Sequence, residues 1–539
     1  MNKEEKIEQS PRSDSTETEF WRLKQKRFQP EFFWLLLILG LALSLRLFRL
    51  DYRSVWYDES FSIILARQDL ATLLAGTAHD YHPPLFYLVL SLWMKLFGEG
   101  IYVTRLLSLL FGMGTILLVY QLAKTLFGPK TALLGAFLAA VAPFQLLYSQ
   151  EVRMYSLQIL LGAWLCLTFY QAYRRDSREE WVLFGVAALL SLYNLYFSLF
   201  GVVALDLFFV ILMLYNWRVL RVVEKSKIRH WLVTNLVVAL LYLPWLFILL
   251  GQVGRIKKSY WITLPNPLEI FRLLDVFLYN ATNLTVDPPY DLIGLLLAVF
   301  LLIFMLQTLR YRLRRGERGD FRRSLEIAML LTYWLGPVLL VLMVSYLFAP
   351  VYLERSLIAF AVPCYILLAR VVQTARHPNF WPLLLVPGAV LVLVSLYFYF
   401  FSQDYTIHYD STSATAYISQ NYRQGDIVIH TNKLSYLPFI YLKAPGLQFV
   451  VPEEPGNPHD DLSPETQRAI GLDYVPVEQA IEKAGPSSRV WLVLTPPQPG
   501  QTDYQRQVVK GFLDRHYSLS ASQSFYGLLV LLYSPTPKQ

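Results

Sequence analysis

The chain has 539 residues, 55% of them hydrophobic and 15% aromatic, with a formal charge of +8. Its apolar residues come in blocks, several reaching the roughly 20 residues that cross a bilayer, which excludes a single soluble core. The basic residues fall in short bursts between those blocks, which argues against nucleic acid as a partner and reads as membrane topology.

Residues 1–30 are charged and carry Pro, Ser and Thr, the composition of a flexible cytoplasmic tail. A long polar stretch before the first apolar run, with no small-residue cleavage site after it, is unlike a cleavable signal peptide. About eleven spanning helices follow, near 31–49, 103–123, 131–148, 154–173, 181–197, 199–216, 231–250, 291–309, 326–347, 356–372 and 381–401. Arg174-Arg175, the Arg218 to Arg229 stretch and the cluster from Arg310 to Arg323 then face the cytoplasm, in line with the positive-inside rule. Pro83 to Phe97 is apolar but short for a span, and counting it as one would turn the arginine cluster outward. It is therefore expected to lie on the membrane or re-enter it, within one long outer loop of about 50–102. Further outer loops fall near 148–153, 251–290 and 348–355.

Past Ser402 the composition changes. Asp410-Ser411 caps an expected helix through Tyr422, while Asp426 to His430 and Val490 to Leu494 read as buried strands. Residues 402–539 are thus expected to form a small extracytoplasmic α/β domain. No internal repeat is visible, and Cys166 and Cys364, each inside an apolar block, form neither a disulfide framework nor a metal-ligand pattern.

Four constellations could carry chemistry. Asp58 and Glu59 sit just beyond the first span; they suit a base or a metal ligand, but equally a helix cap with a dipole-favoured neighbour. His82 precedes Pro83-Pro84, which would aim it rigidly toward a phosphate or a metal, although a surface turn histidine reads the same way. Glu151 and Arg153 lie at the outer end of the third span, where charges are costly unless paired, snorkelling or facing a cavity. Tyr352 and Arg355 lie at the outer mouth of the tenth, where a guanidinium can fork onto phosphate or the aromatic can simply anchor the interface. The topology puts all four on one side of the membrane. Asp58, Glu151 and His82 could together hold a divalent metal ion.

The order of these motifs resembles a known group. Asp58-Glu59, His82-Pro-Pro-Leu-Phe-Tyr87, Leu96-Phe-Gly98, Arg105-Leu-Leu-Ser108, Leu126-Phe-Gly128 and Glu151-Val-Arg-Met-Tyr-Ser-Leu157 are similar to the C-type glycosyltransferases of the protein O-mannosyltransferase-like group, which includes bacterial aminoarabinose transferases acting on lipid A. The resemblance is strong over about 50–200, weaker over 200–400 and absent beyond. It implies a transmembrane glycosyltransferase domain over 31–401, a polyprenyl-phosphate sugar donor and an acceptor outside the cytoplasm. Asp58 matches the first-loop catalytic acid, Glu59 completes that pair and Glu151 matches the acidic position of the second outer loop. His82 stands where the aminoarabinose transferases have a lysine, and Arg153, Tyr352 and Arg355 join it as donor-phosphate candidates by position.

The expected function is transfer of a sugar from a lipid-phosphate donor, with inversion, in an integral protein of the bacterial inner membrane. A lipid phosphate already leaves well, so the site must stabilise phosphate charge and supply a carboxylate for the acceptor's proton. The rivals are a lipid-linked sugar flippase or transporter, a polymer ligase or polymerase, and a non-catalytic cell-envelope scaffold. A transporter should carry ionisable groups at mid-membrane or paired broken helices, and Asp206 is the main residue of that kind here. Two sequons, at Asn280 and Asn283, fall in a predicted outer loop.

Overall fold

The structure, a computed structural model, describes residues 30–256, 269–279, 320–374, 382–402, 409–452, 462–485, 487–496 and 506–535, with isolated positions between 262 and 306. The amino-terminal tail, most of the predicted span at 291–309, the arginine cluster from 310 and both sequons lie outside the described residues.

The first half of the chain is a run of helices: α1 (Pro30–Leu47), α2 (Tyr57–Ala66), α3 (Leu70–His79), α4 (Leu85–Phe97), α5 (Ile101–Phe127), α6 (Pro129–Val141), α7 (Pro143–Ser149), α8 (Tyr155–Arg175), α9 (Arg178–Asn194), α10 (Ser198–Arg218) and α11 (Lys225–Ile256). After them come α12 (Glu269–Leu278), α13 (Asp320–Leu347), a 3-10 turn (Glu354–Phe360) running into α14 (Ala361–Thr374), and α15 (Pro382–Phe401). Among the described residues six helices are long and apolar enough to cross a membrane, seven if the bent pair α6–α7 counts as one. Helices α8, α9 and α15 occupy three more predicted spans but are too polar or too short to pass that test. Of the eleven expected spans, ten thus coincide with a described helix.

Local chemistry explains the breaks. Gly128 has φ +89°, a conformation that costs a side chain dearly, and Pro129 restarts the chain as α6. Pro143 lacks the N–H that would continue the ladder, and α7 leaves α6 at 62°. Asp69 caps α3 by accepting from the amides of Ala71 and Thr72. Asp206 in α10 accepts from Trp231 Nε1 at 2.6 Å and Asn235 Nδ2 at 3.2 Å, so this ionisable group is satisfied by neighbouring donors.

The 50–102 segment folds into α2, α3 and α4. At 1.5 Å per residue α4 is about 20 Å long, short of the roughly 30 Å of a hydrocarbon core. It buries Phe86, Tyr87, Leu90 and Met94 and leaves Leu92, Leu96 and Phe97 exposed, the two-faced pattern of a helix lying along a boundary.

The carboxyl-terminal unit contains α16 (Ser411–Asn421), β1 (Ile427–His430), α17 (Lys433–Tyr441), β2 (Leu447–Val450), α18 (Pro464–Ala469), α19 (Val477–Ala484), β3 (Val490–Leu494), α20 (Gly511–His516), β4 (Tyr517–Phe525) and β5 (Leu528–Pro535). Strand order is β2-β1-β3-β5-β4, parallel through β3 and antiparallel beyond. Every side chain of β1 and β3 is buried, because apolar helices cover both faces of the sheet. Asp410 caps α16 as expected, accepting from the Ser413 amide at 3.0 Å.

This domain rests on the 50–102 segment. Thr466 Oγ1 donates to the Gly76 carbonyl at 3.1 Å, Tyr441 to the Glu99 carbonyl at 3.0 Å, and the Ser54 and Thr412 hydroxyls meet at 3.0 Å. A Cβ at Gly76 would lie 2.8 Å from Leu65 and 3.1 Å from Ala469, so glycine sets the spacing between α3 and α18.

Candidate active site

Helix α2 starts just after Trp56, whose backbone is extended and whose side chain makes no cap. Asp58 therefore stands inside the first turn and is not the helix cap. Both carboxylates are favoured there by the amide dipoles, but they face opposite environments.

Glu59 is fully enclosed. Its oxygens take a two-pronged bond from Arg105 of α5, at 2.9 Å from Nε and 2.7 Å from Nη2, and the Val152 amide donates to Oε1 at 3.1 Å. Arg105 also donates to the Leu50 and Arg53 carbonyls at 2.9 and 3.1 Å. No face of Glu59 is open to a substrate, so a catalytic role by contact does not fit its position. It ties together the loop after α1, helix α5 and the 150–154 loop.

That loop is held from below as well. The Arg46 guanidinium, buried in α1, donates to the Ala140 carbonyl at 2.9 Å and to Ser149 Oγ at 3.2 Å, next to carbonyls that the bend at Pro143 leaves without ladder donors. Gln150 donates to the Arg46 and Phe48 carbonyls at 2.8 and 3.0 Å and accepts from Tyr399 of α15 at 2.5 Å. Three helices thus fix the direction in which Arg153 leaves the loop.

Arg153 turns to Asp58. Its Nε lies 3.6 Å from Asp58 Oδ2, while Nη1 donates to Ser62 Oγ at 3.2 Å and the Asp58 carbonyl at 3.4 Å. Arg355, from the 3-10 turn more than two hundred residues on, brings Nη1 to 3.7 Å from the same Oδ2. Both guanidiniums sit over the Tyr155 ring, at 6.0 and 5.7 Å from its centroid. The separations to Asp58 exceed direct hydrogen bonds. Against its burial, Asp58 and then Tyr87 raise Arg153 further, so it stays charged. Two guanidiniums thus face one carboxylate oxygen.

Glu151 is buried beside this pair. Burial first, then the Glu59 carboxylate, push it up to about 8, against the pull of Arg53 and Arg355. Near neutral pH it therefore holds its proton, a state that suits a hydrogen-bond donor better than a base or a metal ligand. Among the described residues no three His, Cys, Asp or Glu side chains are grouped to hold a metal ion. The expected set of Asp58, Glu151 and His82 forms no such group, and two guanidiniums beside Asp58 oppose a cation there.

Comparison with known proteins bears on this arrangement. Residues 81–246 match the family model described as dolichyl-phosphate-mannose-protein mannosyltransferase. An uncharacterised protein of Aquifex aeolicus (strain VF5) is 28% identical over 163 residues, so the match spans 29% of this chain and about a third, 32%, of that protein's length. The crystal structure of ArnT from Cupriavidus metallidurans in the apo state superposes with a TM-score of 0.62 at 14% identity, covering 93% of this chain and 97% of that one. The same protein bound to undecaprenyl phosphate gives 0.60 at 13% identity, covering 93% and 98%. The Archaeoglobus fulgidus oligosaccharyltransferase in the apo form gives 0.51 at 15% identity, covering 95% and 75%. The chain has the fold of these ArnT structures, and residues 81–246 within it match the mannosyltransferase family model.

Within that fold the remaining site residues separate into two groups. His82 is one step removed: its Nδ1 pairs with Asp80 Oδ2 at 3.1 Å, and Asp80 in turn acts electrostatically on Arg153. Tyr352 is buried in the chain segment leading to Arg355. Three residues near Asp58 are missing from the sequence-derived site. Tyr87, from the His-Pro-Pro-Leu-Phe-Tyr motif, is buried with its hydroxyl lacking a hydrogen-bond partner among the described residues, close to Arg153, Asp80 and Asp58. Asp80 and Tyr155 complete the set. The signal for Arg105 was present in the sequence: a guanidinium inside an apolar span must be paired, and Glu59 is that pair.

Proposed function

We propose that this protein transfers a sugar from a polyprenyl-phosphate donor to an acceptor hydroxyl, with Asp58 as the base. The observation that carries the reading is Asp58 held between Arg153 and Arg355 at the end of the helix bundle on which the carboxyl-terminal domain rests. A phosphate entering this site competes with Asp58 for both guanidiniums, and their planar forks suit its oxygens. As the arginines turn to the phosphate, the carboxylate is left to take the acceptor's proton while negative charge develops on the leaving phosphate. Attack from the side opposite that phosphate inverts the anomeric carbon. Glu59 positions the loop, and protonated Glu151 supplies a donor beside the arginines. The ArnT crystal structure bound to undecaprenyl phosphate makes a lipid phosphate the natural donor class. In this reading the active site faces away from the cytoplasm of a bacterial plasma membrane, an orientation that the distribution of basic loops in the sequence supports.

The test is transfer or release of radiolabelled sugar from polyprenyl-phosphate donors by the purified protein in lipid, wild type beside Asp58→Asn. Label moved only by the wild type supports the assignment. Equal rates in both would remove Asp58 from the role of base.

A further inference from the structure

Away from Asp58, a cleft of about 220 Å³ opens where the loop after α1, the end of α15 and the carboxyl-terminal domain meet. Tyr52, Arg53 and Ser54 line one side, and Asp410, Ser413 and Tyr526 the other, with Tyr399 and Phe400 beneath. We infer that this cleft binds a neutral saccharide unit of the acceptor.

The lining chemistry favours that ligand. A sugar ring has an apolar C–H face and a rim of hydroxyls that both donate and accept. The exposed Tyr52 ring, which carries Arg49 at 3.8 Å from its centroid, matches the first, while carboxylate and hydroxyl groups match the second. The charged lining residues are one cation, Arg53, and one anion, Asp410, so the cleft offers no excess charge to a phosphate. Arg53 is also engaged: it stacks 3.6 Å from the Tyr399 ring centroid and donates to the Tyr399 carbonyl. An aromatic belt at the membrane boundary would account for Tyr52 and Phe401 but not for the polar edge that the carboxyl-terminal domain contributes. The volume suits a single ring unit and not a lipid chain.

The cleft is also tied to the chemistry. Ser54 Oγ meets the Thr412 hydroxyl at 3.0 Å and accepts from the Thr412 amide at 3.0 Å, so the carboxyl-terminal domain is latched four residues before Asp58. The Arg53 carbonyl accepts from Arg105, the residue that holds Glu59. A saccharide bound here would therefore engage the domain and the loop carrying the base together. As an acceptor subsite the cleft rests on the transferase reading; as a saccharide site it does not.

The test uses full-length protein in nanodiscs and saturation-transfer NMR with mannotriose, chitotriose and maltotriose. Inorganic phosphate and nanodiscs rich in phosphatidylglycerol serve as competitors. Ser413→Trp, which fills the cleft, and Tyr52→Ala, which removes its exposed aromatic wall, are compared with wild type at equal thermal stability. The expected result is binding of at least one trisaccharide, weakened tenfold or more by each variant and unchanged in Asp58→Asn, with acceptor-independent donor hydrolysis unaltered by the cleft variants. No binding by any trisaccharide, or equal binding by the cleft variants, overturns the inference. So does displacement by phosphate or phosphatidylglycerol, which would make the cleft an anionic headgroup site. Loss of sugar transfer in Asp58→Asn without any cleft binding leaves the transferase standing and removes only this proposal.

Discussion

Glu59→Gln separates a catalytic carboxylate from a structural one. Glutamine keeps the volume and one acceptor oxygen, but it turns the other oxygen into an amide that points donors at the Arg105 donors. The Arg105 charge, 1% exposed, then remains buried without its partner. Breaking such a pair from one side costs about 3–5 kcal/mol, and the opposed donors place this case toward the upper end. The Val152 amide keeps its acceptor only if the new amide oxygen faces it, so Arg153 loses its fixed direction as well. The assay is thermal unfolding of purified protein in one detergent, read by tryptophan fluorescence, beside sugar transfer. Glu59→Gln should lower Tm by several degrees and reduce transfer. The double variant Glu59→Leu with Arg105→Met should regain only part of the stability, because an apolar pair avoids the desolvation of both charges but removes the partners of the Val152 amide and the Leu50 and Arg53 carbonyls. A Glu59→Gln protein as stable as wild type but inactive would refute the structural assignment and return Glu59 to the chemistry.

Asp58→Asn should reduce transfer by at least about 100-fold, the usual scale for losing a general base, with little change in Tm; the label-transfer assay reads it. Arg153→Ala and Arg355→Ala should raise the KM for the donor more than that for the acceptor, and initial-rate kinetics with each substrate varied would expose the opposite pattern. Glu151 titrates near 8 when folded, against an ordinary value near 4.5. Its raised value means that the folded state binds the extra proton between these limits, so its contribution to stability is full below about 4.5 and lost as pH rises through 8. Glu151→Gln should keep most transfer at pH 7 and remove this part of the fall in Tm between pH 6 and 9, an effect on the order of a few kcal/mol. Burial lowers His430 to about 4, so the folded carboxyl-terminal domain binds fewer protons than the unfolded chain between about 4 and 6.5 and weakens as pH falls through that range. His430→Gln, keeping hydrogen-bonding capacity toward Ser435 and Gln448, should flatten that acid dependence in a fluorescence melt.

Apolar block length and the periodicity of strands are local properties, so the sequence alone located ten helices at predicted spans, the short α4, the capped α16 and the strands β1 and β3. The acidic, histidine and arginine motifs were legible for the same reason: each is a few consecutive residues beside an apolar run. Their division of labour was not. Asp58 and Glu59 are adjacent in the chain, and only the approach of Arg105 from α5 turns one into a closed clamp, while the other faces two arginines. Arg355 reaches that site from a distant turn, and Tyr87 joins Arg153 because α4 folds back beneath α2. Such partnerships depend on how helices cross, which local pattern does not encode. The charge state of Glu151 has the same origin, since burial and a neighbouring carboxylate exist only once the bundle has closed.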